Sequence, residues 1–337
     1  MVSVTHTPKE NAAPGMGVTV LFLSAIVVGA LMGLSNSSLS QDLSQNIDAT
    51  LLLMIGLLFF EVRLRALAVA FSNLRFIALA WGANFLVVPV IGYAIASLFL
   101  SGQPLFYTGL LIYFLAPCTD WFLGFTRMAH GDTVLGTALM PINMLTQLLL
   151  FPAWLWLFTQ HTSVVDFATI PNTFLQWFLM PFVLAQVARW VLVTALPASA
   201  FERVCNVVAF LIPLATAAVI LQIFAANIST IIGHLQVFGV VLVAIFVFFL
   251  LTYALSEALS KLFRLRYPEH ALLAMTTAAR NAPLMLALTA IAIPDQPLVY
   301  AALVIGTLVE FPHLTALKQV LLNKQSKSKA SEAIGSG

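Results

Sequence analysis

The chain reads as an all-α polytopic membrane protein of ten transmembrane helices, and three observations carry that reading. Of its 337 residues 61% are hydrophobic and only 8% are Asp, Glu, Lys or Arg, whereas an average soluble domain carries about 25% charged residues. Apolar spans long enough to cross a bilayer recur along the chain. The basic residues fall in alternate breaks between those spans, as the excess of Lys and Arg in cytoplasmic loops requires.

In order, the apolar spans cover 16–34, 47–63, 76–100, 105–129, 133–159, 170–195, 204–226, 235–260, 269–293 and 297–321. Polar or Pro/Gly-marked breaks separate them, for example Ser35 to Gln45, Ser101 to Pro104, Gly131-Asp132 and Pro294 to Pro297. The second span is the shortest of apolar length, because Arg63 and Arg65 follow it directly; tilting accommodates that. The first apolar stretch exceeds the usual 7–15 residues of a secretory signal and nine spans follow it, so it reads as a retained helix.

Lys9, Arg63, Arg65, Arg75, Arg127, Arg189, Arg203, Lys261, Arg264, Arg266, Lys318, Lys324, Lys327 and Lys329 all fall on one side of this layout. The opposite breaks hold Asp42, Asp48, Asp166 and Asp295, and the remaining positive residue, Arg280, lies inside a span. A cell-membrane protein with both termini in the cytoplasm follows. Residues 1–15 then form a cytoplasmic segment, 16–322 the membrane domain, and 323–337, ending in Gly-Ser-Gly and poor in apolar residues, a disordered cytoplasmic tail. The scattered positive charge forms no nucleic-acid-binding stripe, and the two cysteines form no disulfide framework. No metal or cofactor motif is present.

Functional residues in such a chain belong where polar groups are most costly, in the middle of spans. The fourth span centres on Pro117-Cys118-Thr119-Asp120 and the ninth on Arg280-Asn281-Ala282-Pro283. Each joins a helix-breaking proline to an ionisable residue, and irregular backbone at that depth is tolerated only within protein or beside a cavity. Paired broken helices of this kind build the binding sites of many secondary transporters. The simpler alternative is a pair of water-filled proline kinks. Asp120 and Arg280 are expected to face inward and to pair, either as a lock between helices or as part of the site. Asn143 and Gln147, one turn apart on span five, and the amides Asn84 and Gln222 are candidate lining groups or interhelical bridges.

Sliding the sequence by 163 residues lays Gly131-Asp132 over Pro294-Asp295 and Cys118 over Asn281, with several identities between. Five helices per half is an odd number, so a duplicated half inserts upside down relative to its partner. The expected layout is therefore two inverted five-helix repeats, about 16–160 and 170–322, with broken helices four and nine crossing at the centre. An intramembrane protease would need two deep Asp residues, a His-Glu-x-x-His helix or a Ser nucleophile with its base, and the sequence offers none of these, so it does not read as an enzyme.

Ala-Pro-Cys-Thr at 116–119, Gly131-Asp132, and Leu308-Val309-Glu310-Phe311-Pro312 together resemble the arsenite-permease branch of the bile acid/sodium symporter superfamily. The resemblance implies a panel and a core domain, crossed broken helices four and nine, and proton-coupled export of arsenite with Cys118 as the essential thiol. Trivalent arsenic is thiophilic, which suits that assignment; a small buried hydrophobe is the ordinary role of a free cysteine. One departure stands out, because the essential Glu that this branch carries in span nine is replaced here by Pro283. The proton-coupling role then falls to Asp120 or Glu310. The alternative that the resemblance implies is sodium-coupled symport of a small organic anion such as a bile acid, pantoate or a keto acid. Arg280 would be its counter-charge and would oppose a sodium ion bound beside it. Either form would work as a monomer or homodimer in the lipid bilayer.

Overall fold

The computed structural model describes residues 16–35, 43, 45–119, 121–160 and 175–335. Asp120, the N-terminal segment 1–15 and the connection 161–174 lie outside the described residues. Among those described, every regular element is helical. They are α1 (Met16–Ser35), α2 (Ile47–Glu61), α3 (Leu74–Leu100), α4 (Pro104–Leu115), α5 (Trp121–Met128), α6 (Thr133–Thr159), α7 (Met180–Ala195), α8 (Ala198–Ile232), α9 (Leu235–Phe263), α10 (Tyr267–Ala278), α11 (Ala282–Ala292) and α12 (Pro297–Gly335). Short helical turns at Leu64–Ala66 and Leu67–Ala70 join α2 to α3, and a π-helical turn at Leu175–Leu179 leads into α7.

Seven of the described helices are long and apolar enough to cross a membrane, and α4 and α11 are shorter apolar helices. Their outward surfaces are apolar as well: Leu98, Leu149 and Leu262 are each more than 70% exposed. A surface of this kind is solvated by lipid, since soluble monomers rarely expose large contiguous apolar patches. The protein is a multi-pass α-helical membrane protein.

Local signals explain the boundaries. Pro104 opens α4 at a position where the missing N–H has no helical partner to lose. Asp132 caps α6, its Oδ1 accepting from the amides of Val134 at 3.1 Å and Leu135 at 3.0 Å. Arg264 ends α9 in the left-handed region with φ 53°, a place usually taken by glycine. The helix positions also recur. Pro104 and Tyr267, which start α4 and α10, are 163 residues apart, as are Leu115 and Ala278, which end them.

Two groups of helices pack together. In the first, α1 and α2 lie against α8, and α7 lies against α2. The α1–α8 seam is close because Gly29 and Gly33 have no side chain: a Cβ there would stand 2.5 Å from the Leu221 carbonyl oxygen and 2.2 Å from that of Ala225. In the second, α4 packs on α12 and α3, while α9 packs on α10, α3 and α12. The densest core, formed by α4, α10, α11 and the first turns of α12, is almost wholly buried. It is inside this second group that the interrupted helices meet.

Where a disordered tail was expected from Asn323 onward, α12 instead continues to Gly335. Lys324 and His270 both approach Glu257 on α9, the imidazole Nε2 at 3.0 Å from Oε1. The His130 ring and Gln325 Oε1 lie 3.0 Å apart. This polar stretch therefore continues the helix, its first turn held by Glu257 of α9 and by His130 of the α5–α6 turn.

Candidate functional site

Helix α4 stops at Leu115 because Pro117 has no N–H to donate and forces the residue before it out of the helical region. Ala116 is accordingly extended, with φ −111° and ψ 106°. Helix α10 ends in a similar extended residue, Ala279 at φ −74° and ψ 137°, but no proline follows it directly. The chain restarts as α5 at Trp121 and as α11 at Ala282, with Pro283 in the first turn of α11, where its missing N–H is harmless.

The two breaks lie across one another and share their backbone bonds. Cys118 donates its N–H to the Ala279 carbonyl at 3.0 Å, and Asn281 donates its N–H to the Ala116 carbonyl at 2.9 Å. Between these bonds Pro117 and Arg280 form an isolated antiparallel bridge. The two bonds exchange under the 163-residue offset, which carries 116 onto 279 and 118 onto 281, and Pro117 and Arg280 are mates under it too.

A helix C-terminus leaves four carbonyls without intrahelical donors, and here two such ends meet away from water. Arg280, 0% exposed, meets both of them. Its Nη1 donates to the Phe114 carbonyl of α4 at 3.0 Å, and its Nη2 to the Thr276 and Thr277 carbonyls of α10 at 3.1 and 2.7 Å. The same Nη2 lies 3.4 Å from Asn84 Oδ1. The guanidinium also stands 5.6 Å from the ring centre of Phe248 on α9, within range of a cation–π contact. A positive group between two helix C-termini is favoured by both dipoles.

Asn84 reaches this point because α3 contains a π-helical turn at Ala83–Val87, a local widening often found at functional positions. Its Nδ2 donates to Thr276 Oγ1 at 3.1 Å, and Asn143 Nδ2 is 3.3 Å from the same oxygen and 3.3 Å from the Cys118 carbonyl. Asn281 Nδ2 donates to Thr119 Oγ1 at 2.9 Å, a side-chain bond that joins the two breaks again. Glu310, brought in by α12 and 0% exposed, accepts the Arg280 N–H on Oε1 at 3.1 Å, and Tyr113 Oη approaches its Oε2 at 3.4 Å.

Pro117, Cys118, Thr119, Arg280, Asn281, Asn143 and Glu310 are thus gathered around one crossing. Gln147 lies one turn along α6 from Asn143 and is also buried, its Nε2 3.2 Å from Met144 Sδ. Gln222 sits on α8, in the other group of helices. The expected Asp120–Arg280 pair involves a residue outside the described set. Cys118 is buried and is not in a disulfide. A small opening lined by Leu58, Glu61, Val62, Thr119 and Met140 reaches the break at Thr119. Three contributors were not anticipated from sequence: the Phe114 and Thr277 carbonyls, which have no side-chain signature, and Tyr113. The proline and alanine pair at 116–117 was the available signal for freed carbonyls.

A multi-pass helical protein whose interrupted helices clasp one another in a buried polar centre belongs to the class of membrane transporters. The comparisons agree. Residues 49–234, more than half of the chain, match the Sodium Bile acid symporter family, and the protein is a member of it. The chain is also similar to the arsenical-resistance protein Acr3 of Corynebacterium glutamicum, 27% identical over 264 residues that cover 71% of this chain and 68% of that protein. The protein is a transporter and not an enzyme.

Proposed function

We propose that the protein is a secondary transporter that exports trivalent arsenic, taken up at the helix crossing as arsenous acid, using the proton gradient. The observation that carries this reading is a cysteine in the break of one helix together with buried amide acceptors on the elements that meet there. Cys118 lies in the break of α4, and Asn143 Oδ1, Gln147 Oε1 and Asn281 Oδ1 are buried amide oxygens without a partner. Unpartnered buried acceptors are costly, and arsenous acid brings three hydroxyl donors around a soft, thiophilic centre. The arsenical-resistance name of the similar protein points to the same cargo.

The layout proposed for this work is ten spans in two inverted repeats, about 16–160 and 170–322, with α4–α5 as span four and α10–α11 as span nine. The recurrence of helix boundaries at an offset of 163 and the two interchangeable backbone bonds support it. Both termini are placed in the cytoplasm, following the positive residues, several of which cluster near the ends of α3, α9 and α12. Proton loading is assigned to Asp120 and Glu310.

Sodium-coupled symport of an organic anion is the weaker reading, because the carbonyls that could hold a cation at the crossing already receive the Arg280 guanidinium. A sodium ion beside it would meet like charge in a medium of low dielectric.

The test is protection of an arsenite-sensitive strain, together with arsenite uptake into everted vesicles under separately imposed proton and sodium gradients. The wild type is expected to protect and to follow the proton gradient, and Cys118→Ser to lose protection while still reaching the membrane. Sodium-dependent movement of a small organic anion, with no protection from arsenite, would overturn the proposal.

A further inference from the structure

Away from the crossing, a cavity of about 490 Å³ opens on the apolar outer surface between α3 and α9, its walls including Gly82, Ala83, Leu86, Leu259 and Phe263. That volume falls within the ~300–1,000 Å³ of ordinary ligand sites. The lining residues are apolar except for Arg75 at one end, whose guanidinium lies against Phe263. Such a lining matches an amphipathic ligand with one anionic end.

Its dimensions match one membrane leaflet. Arg75 stands at the first turn of α3 and Phe263 at the last residue of α9, so the charged end lies at the level of the helix ends. From Arg75 the groove follows α3 to Val87, a run of about 18 Å at about 1.5 Å per residue. The hydrocarbon layer of one leaflet is about half of ~30 Å. Arg75 is exposed, and it is held in place by donating from Nη2 to the Phe263 carbonyl at 2.9 Å and by lying 5.9 Å from the Phe263 ring. A guanidinium has five N–H donors, and these contacts use one.

We infer that this groove is a binding site for an anionic phospholipid, one acyl chain lying against α3 and α9 and the phosphate paired with Arg75. The site bears on the transport centre through a shared element. Gly82, Ala83, Leu86 and Val87 form its floor, and Ala83–Val87 is the π-helical turn that carries Asn84 inward to Thr276 and Arg280. A chain seated in the groove supports that turn from outside, so lipid binding stabilises the placement of Asn84. The inference does not depend on which cargo the protein carries.

The experiment measures thermal unfolding of the purified full-length protein in detergent, titrated with phosphatidylglycerol or phosphatidylcholine of the same acyl chains. Wild type is expected to be stabilised more by phosphatidylglycerol. Arg75→Gln should weaken that lipid about fivefold, the equivalent of ~1 kcal/mol for one basic residue at an anionic membrane surface, and so remove the preference. Gly82→Phe should abolish stabilisation by both lipids with the unliganded protein still folded, because a Cβ at Gly82 meets nothing within 4 Å. Equal stabilisation of wild type by the two lipids, an unchanged preference in Arg75→Gln, or full stabilisation of folded Gly82→Phe would each overturn the inference. So would an equal effect of soluble glycerol phosphate, which would make the site one for free anions.

Discussion

The guanidinium of Arg280 donates to the carbonyl of Phe114 at 3.0 Å, across the crossing from the break in which Arg280 lies. With its bonds to Thr276 and Thr277 it supplies donors to both helix ends at once. Arg280→Met leaves those carbonyls without donors and removes the nearby positive charge from buried Glu310. The expected loss is about 3–5 kcal/mol, as for breaking a buried charged network from one side. Arg280→Lys keeps the charge but not the fork and is expected to fall between. Thermal unfolding in detergent reads both, and a Met variant as stable as wild type would remove the stitching role.

Asn84 joins α3 to this network through Thr276 and Arg280. Asn84→Leu is expected to cost about 1–3 kcal/mol, since the buried Arg280 Nη2 and Thr276 Oγ1 each lose one of their partners. Combined with Thr276→Val it should show a coupling energy of roughly 0.5–3 kcal/mol in a double-mutant cycle. Additive losses would mean that the 3.1 Å bond between the two side chains carries no weight.

The seam between α1 and α8 depends on close backbone approach at Gly29 and Gly33. Either residue changed to Ala puts a methyl against a carbonyl oxygen, and the expected cost is about 1–3 kcal/mol, as for overpacking elsewhere in a core. Gly56→Ala, with open space around its Cβ, is the matched control and should be near neutral. Unfolding midpoints of the three variants compare them directly.

Asp132 caps α6, and its amide donates to the Pro268 carbonyl at 3.0 Å, tying the α5–α6 turn to the start of α10. Asp132→Ala should cost about 1 kcal/mol of stability, the usual value of a lost N-cap, with Asp132→Asn retaining most of it. The ordering of the three proteins in urea or heat unfolding checks the assignment.

Much of this architecture was legible from residue types. Apolar length marked helical segments, Pro117 marked the first break through its own geometry, and Pro283 marked where the second helix resumes. The 163-residue offset was visible at Gly131-Asp132 and Pro294-Asp295, and the structure carries it into α4 and α10 to the residue at both ends. What was not legible lies in partnerships that no side chain advertises. Arg280 bonds to peptide carbonyls and to Asn84, whereas Asp120, the partner expected for it, lies outside the described residues. Peptide carbonyls are present at every residue, so only the local failure of a helix shows which of them need a donor. The same holds for Asn84, whose inward position follows from a π-helical turn that its sequence, Ala-Asn-Phe-Leu-Val, does not mark. At the C-terminus polarity suggested disorder, whereas contacts with Glu257 and His130 hold a helix there.

The crossing is fastened by peptide groups: the bonds from Cys118 to Ala279 and from Asn281 to Ala116 use no side-chain atom. Side chains add to this: the hydroxyl at 119 and the amide at 281 share one bond between the two breaks. The two backbone bonds themselves do not depend on which side chains stand at these positions. A lineage built on this plan could exchange the chemistry displayed at its centre, and with it the compound it carries, while inheriting the same backbone knot unchanged.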